Sequence, residues 1–377
     1  MQVEQRVWTP SQAWQPAPVA LPQADLVLVF GGRHVLEGSA PLRDVRAAYP
    51  KAHLAGCSTA GEIAGTRVLD DSLVTTAVRF GSSRVAEAHV DLEAGGDSRQ
   101  AGARLARALD PTGLRHVLVV SDGAIVNGSE LVAGMMVALP AGVEVTGGLA
   151  GDGARFEKTL TVSGPTAAPH RIVALGLYGA GLHVGFGSLG GWDPFGPLRI
   201  VTRSKGNVLY ELDGQPALSL YKQYLGEHAK GLPATGLLFP LNVQAPGATR
   251  PLTRTILAVN EEEQSLTFAG DIPQGAVARL MKANFDRLVD GAQGAAEASR
   301  GLLGAGTPEL ALLISCVGRK LVLKQRVEEE LEAVQEVLGP GVAMAGFYSY
   351  GEICPAAPLA GCELHNQTMT ITTLREG

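Results

Sequence analysis

The chain has 377 residues, of which 46% are hydrophobic and 18% charged, with 48 glycines. That balance supplies a packed core and excludes a disordered chain, and the length suits two or three domains. A formal net charge of −6 without a lysine–arginine cluster excludes a nucleic-acid binder, and no apolar run is long enough for a membrane-spanning helix.

Residues 1–20 read as an extended arm carrying Trp8 and Trp14. Met1 to Pro22 lacks the apolar core of a secretion signal, so Cys57, Cys316, Cys354 and Cys362 are expected to be reduced thiols in the cytoplasm. Ala24–Phe30 is a continuous apolar run, as in a strand covered on both faces. A helix carrying Leu42, Val45 and Tyr49 follows and stops at Pro50. His53–Gly56, Leu73–Phe80 and Val85–Leu92 read as strands. Ser98 is the expected N-cap of a helix that runs to Leu109. His116–Val120 is a buried strand, Ser129–Leu139 a helix and Val143–Thr146 a strand. Thr159–Ser163 and Arg171–Tyr178 read as a hairpin, and Gly179–Pro197 as a loop or bent strand. Strands at Leu198–Arg203 and Asn207–Leu212 precede a turn at Asp213–Gly214, the expected domain boundary. Pro216 opens a helix to His228. Gly236–Val243, Thr253–Val259 and Ser265–Gly270 are strand-like. The apolar spacing predicts one long helix over Ala276–Leu303. Leu310–Ser315 is a strand. A helix over Lys324–Leu338 places Val327, Leu331, Val334 and Leu338 inside and Glu328, Glu329 and Glu330 outside. Val342–Ala345 and Gln367–Leu374 complete the strands.

Three stretches share one design: Ala55–Ile63, Thr146–Asp152 and Ala345–Ile353. Each follows an apolar run, breaks into small, hydroxylated or aromatic residues, and closes on a glycine followed by an acid. We read them as three copies of a strand end that turns sharply toward a shared cavity; the bland alternative is that βαβ units look alike. By spacing, Gly32-Arg33 and Gly318-Arg319 are expected to occupy the same place in the first and last copies. The expected fold is α/β: repeated β-α-β-β units forming mixed sheets covered by helices, in two domains, residues 21–214 and 215–377.

Ligands of open α/β sheets bind beyond the carboxyl ends of the strands. The candidates there are Arg33, Cys57, Ser58, Thr59, Glu62, Asp122, Asp152, Cys316, Arg319, Tyr348, Tyr350 and Glu352, joined by His365 and Asn366 at the start of the last strand. Arginine grips a carboxylate in two-pronged fashion and a carboxylate holds an ammonium, so this set suits an amino acid or organic acid. Glu62 and Glu352 either hold such an ammonium or cap backbone amides of their own turns. Arg33 and Arg319 either grip a ligand or pair with those two glutamates. A cysteine or serine nucleophile, with Cys57 or Cys316 foremost, would make the chain a hydrolase or transferase, but neither cysteine has a histidine nearby in sequence, and a small buried cysteine is more often packing. A scaffold acting by surface alone is a third reading. No phosphate loop, cofactor motif or metal-finger spacing is present.

Taken together, Gly56–Ile63, Gly147–Asp152, Ser315–Arg319, Ala345–Ile353 and His365–Thr368 resemble the FIST family of bacterial sensory proteins, over about Leu21 to Thr373. The resemblance implies an intracellular sensor of a small ligand such as an amino acid, without catalysis, cofactor or membrane contact. It also implies a separate signalling partner, for instance a histidine kinase, because the length leaves no room for an output module.

Overall fold

The computed structural model describes residues 1–377 apart from Pro18, Ala94 and Thr249. Three sheets are built on one plan. Each has a parallel pair at its centre: Leu26–Gly31 with His53–Ser58, Leu114–Ser121 with Glu144–Leu149, and Leu310–Cys316 with Ala343–Ser349. Each pair has an antiparallel strand on one flank, respectively Leu73–Arg79, Arg171–Tyr178 and Met369–Glu376. Outside that lies the strand that opens the unit: Gln2–Thr9, Arg84–Asp91 and Leu182–Leu189. The segment read as an N-terminal arm is thus hydrogen-bonded into the first sheet over Gln2–Trp8.

The other flank of each sheet is supplied by a different unit. The hairpin Glu62–Leu69 leaves the first unit and pairs with Ala343–Ser349 of the third. Thr161–Ala168 leaves the second and pairs with His53–Ser58 of the first. Gly351–His365 leaves the third and pairs with Glu144–Leu149 of the second. The exchange closes a ring. It corrects the expected hairpin of Thr159–Ser163 with Arg171–Tyr178, because the two strands lie in different sheets.

Strand alternation builds the core. Leu26, Leu28 and Phe30, Leu118 and Val120, and Leu310, Leu312 and Ile314 point inward into one cluster fed by all three sheets. The intervening Val27 and Val29, Val117 and Val119, and Ala311 and Leu313 point outward against helices. Between Leu189 and Phe285 the third unit carries an inserted unit with its own sheet, a short helix at Ala217–Leu225 and a separate apolar core. Val277–Lys282 is a central strand of that insertion, so the long helix begins only at Phe285, where the Asn284 side chain accepts a hydrogen bond from the Arg287 amide. The N-cap of the Ser98–Arg107 helix is Asp97, one residue before the expected Ser98. The fold is α/β, with mixed sheets covered by helices.

Candidate ligand site

The threefold plan is strictest at the carboxyl ends of the central strands. Gly56, Gly147 and Gly346 stand opposite Val29, Val119 and Leu313 of the neighbouring parallel strands. A Cβ on these glycines would fall 1.8, 1.8 and 1.7 Å from the facing carbonyl oxygens, so only glycine permits the approach. Two residues further on, the chains bind one another in a ring. The Ala60 amide donates to the Tyr348 carbonyl at 2.8 Å, the Gly151 amide to Ser58 at 2.9 Å and the Tyr350 amide to Leu149 at 3.1 Å. The three motifs therefore converge.

Their acids fix turns. The Glu62 carboxylate accepts from the Thr59 hydroxyl, from the Ser72 hydroxyl at 2.7 Å and from the Ser72 amide at 3.1 Å. Glu352 repeats this with the Ser349 hydroxyl at 2.6 Å and with the Thr368 hydroxyl and amide at 3.0 and 3.2 Å. In the second unit the role passes to Asp122, which accepts from the amides of Ala124, Ile125 and His170. Burial raises Glu62 to about 7 and Glu352 to about 8, against the hydrogen bonds that hold the charge. A folded-state value above the unfolded one means that the folded form holds its proton longer. The stability from these two groups is therefore full below about pH 4.5 and is lost as pH rises through 7 and then 8. Chemical denaturation of wild type across that window should show stability falling by a few kcal/mol, and Glu62→Gln with Glu352→Gln should flatten the slope.

The arginines pair elsewhere than expected. Arg33 Nη1 donates to Asp152 at 3.0 Å, and Arg155 Nε meets the same carboxylate at 2.7 Å. Arg319 is fully buried and donates to Glu330 through Nε at 3.1 Å and Nη2 at 2.8 Å, and to the carbonyls of Gly190 and Leu288. Glu330, expected outside, is buried and also accepts from the hydroxyls of Ser315 and Tyr348. By strand register Val317, not Arg319, stands where Arg33 does.

Ser58 Oγ donates to the Gly151 carbonyl and accepts from the Leu160 amide, tying the first turn to the second. Cys57 and Cys316 are buried, and burial pushes both thiols well up, with Glu62 and Glu352 adding to it. His365 Nε2 lies 3.0 Å from the Cys354 carbonyl, and burial holds it down to about 4. No imidazole is hydrogen-bonded to either thiol among the described residues, so the nucleophile–base geometry of thiol catalysis is missing. The same residues contain no cluster suited to a metal. Asn366 is buried, and neither end of its amide has a partner among the described residues.

The concavity lies beside this ring. The residues Gly31, Ser121 and Ser315 pair with Leu73, Ile172 and Met369, and the left-handed residues Asp71, His170 and Gln367 precede those strands at matching positions. Leu36, Val126 and Lys320 stand at the same count past the three strand ends. Lys320 fills the seam between the third and first units, donating to the Ala60 carbonyl at 2.9 Å and to Asp70. Leu36 is buried in the apolar core of the first unit. Val126, at the corresponding position between the second and third units, is shorter than Lys320, and here a cleft of 530 Å³ opens. Its walls are the Gly123–Gly128 loop that leads into the Gly128–Ala138 helix, Phe156 stacked on Tyr350 at 4.4 Å, and Leu364. Asn207, Leu257, Phe268 and Gly270 of the inserted unit roof it. A smaller pocket of 220 Å³ adjoins at Leu364 and contains Arg254 and Asp271.

Residues 25–215 match the FIST N domain and residues 217–355 the FIST C domain. The chain belongs to the FIST family. FIST domains are associated with the sensing of small ligands in signal transduction. No curated protein matches the chain. Among solved structures, the cyanuric acid hydrolase of A. caulinodans aligns over 100% of this chain and 98% of its own, at 10% identity and a TM-score of 0.35.

Seen on the FIST division, the cleft is a junction. Val126, Leu149, Phe156 and Asn207 come from FIST N, and Leu257, Phe268, Gly270 and Tyr350 from FIST C. Of the residues expected to bind ligand, Tyr350 lines the cleft, and Asp122 holds the Gly123–Gly128 loop in place. Arg33 and Asp152 form a partly exposed pair, while Cys57, Ser58, Thr59, Glu62, Cys316, Arg319, Tyr348 and Glu352 are buried in the turns themselves. Ile125 and Gly270 carried no chemical signal in the sequence; the Asp122 turn before a helix start was the available clue.

Proposed function

We propose that this FIST protein is a sensor that binds a small polar metabolite, an amino acid or a related organic acid, in the 530 Å³ cleft between its FIST N and FIST C parts. The observation that carries this is the open seam: Lys320 bridges the third and first units and the Arg33–Asp152 pair the first and second, while between the second and third a cleft opens beneath the inserted unit. Cavities of this size at domain junctions, with aromatic walls and a few polar groups, are the usual form of a small-molecule site. Binding favours the form in which the inserted unit closes on the Gly123–Gly128 loop, and that closure is the signal passed to a separate partner such as a histidine kinase. The domains divide near Asp213, the protein works in the cytoplasm, and the ligand is bound without turnover, a reading supported by the burial that pushes the Cys57 and Cys316 thiols up.

A melting screen against amino acids and organic acids tests this. A compound at about 100 times its Kd adds about 2.7 kcal/mol of stability. Ile125→Trp, which fills the mouth of the cleft from a half-exposed position, should abolish that gain and leave the unliganded melting temperature nearly unchanged. An unaltered gain in this variant would refute the cleft as the site.

A further inference from the structure

Arg254 stands out among the arginines. It is buried on the wall of the 220 Å³ pocket, yet no carboxylate lies within ion-pair distance of it among the described residues. Its Nε donates to the Asp271 carbonyl at 3.1 Å and its Nη1 to the Leu364 carbonyl at 2.9 Å. Nη2 donates to no protein group among the described residues. Arg319 is buried with a bonded carboxylate and two carbonyls; Arg6 is buried on the carbonyls of Pro16 and Ala17, and Arg254 differs from both in lining a pocket. A buried guanidinium without an anion is costly. Burial here pulls Arg254 down to about 10, with Asp271 and Glu363 acting on it only at longer range.

We infer that Arg254 is the anchor for a ligand carboxylate, received in the 220 Å³ pocket that it lines. This rests on the cleft reading, since Leu364 lines both hollows and the ligand is taken to reach from one into the other. Asp271 and Glu363 line the same pocket, which favours a ligand that is not doubly negative and suits a cationic or neutral remainder. A guanidinium held by two carbonyls has its remaining edge preset for a carboxylate, so little order is lost on binding.

The test uses the full chain and pairs each L-amino acid with its L-amino acid amide, which keeps the ammonium and the side chain and loses only the carboxylate charge. Calorimetric titration should give saturable binding for at least one acid and binding at least about tenfold weaker for its amide. Arg254→Lys keeps a buried cation but loses the planar two-pronged edge, and should weaken the acid several-fold. Arg254→Met should abolish the acid's advantage over the amide. Equal affinity of acid and amide in wild type, or an unchanged advantage in both variants, overturns the inference while leaving the cleft reading intact if Ile125→Trp still blocks binding. An acid response that needs Arg254 but survives Ile125→Trp keeps the inference and removes the cleft. No saturable response from any acid overturns both.

Discussion

Arg319→Ala is expected to lower the unfolding free energy by about 3–5 kcal/mol, the usual cost of leaving half of a buried ion pair behind. Arg319 and Glu330 are both fully buried, and the guanidinium also ties the carbonyls of Gly190 and Leu288, which lie in different elements of the third unit, to the helix that carries Glu330. Without it, the Glu330 carboxylate keeps only the Ser315 and Tyr348 hydroxyls, both uncharged. The double change Arg319→Met with Glu330→Gln removes the unpaired charge and should recover a large part of the loss. Urea denaturation of the three proteins measures this. A single variant as stable as wild type would mean that the pair does not hold the elements of the third unit together.

Gly346→Ala should cost more than about 3 kcal/mol, at or above the upper end for overpacking a core. The added Cβ would lie 1.7 Å from the Leu313 carbonyl oxygen, an atom of backbone that is locked by the parallel ladder. A side chain could rotate away, but this carbonyl cannot move without breaking the register that brings Tyr348 to the Ala60 amide. Gly301→Ala is the control. It sits in the Phe285–Leu303 helix with nothing within 4 Å of its Cβ, and should stabilise by about 1 kcal/mol through helix propensity. Thermal melts of both variants decide the matter, and a mild Gly346→Ala would contradict the close approach.

The sequence carried the units but not their exchange. Apolar runs such as Ala24–Phe30 and Leu310–Ser315 declared buried strands, and the three glycine–acid motifs declared equivalent turns. Alternation cannot name a partner, however, and the partners of Glu62–Ala64, Thr161–Ser163 and Gly351–Pro355 are each supplied by another unit. Val277, Leu280 and Met281 fit helical spacing and yet are a strand, because the inserted sheet offers them partners on both sides; Asn284, a good N-cap, marked the true helix start. Glu330 looked like part of a solvated acidic run. It is four and eight residues before Val334 and Leu338, which puts it on the buried stripe. For the site, Tyr350 was legible as an aromatic residue in a motif, whereas Arg254 was invisible, since its significance is the missing partner rather than any pattern.

The most direct measurement is a crystal structure of the full chain with a compound that raises its melting temperature. The account predicts density for that compound between Ile125, Tyr350 and Gly270, beneath the inserted unit. Density on an outer surface away from Leu364, or among the buried turns of Glu62 and Glu352 with the cleft left open, would contradict it.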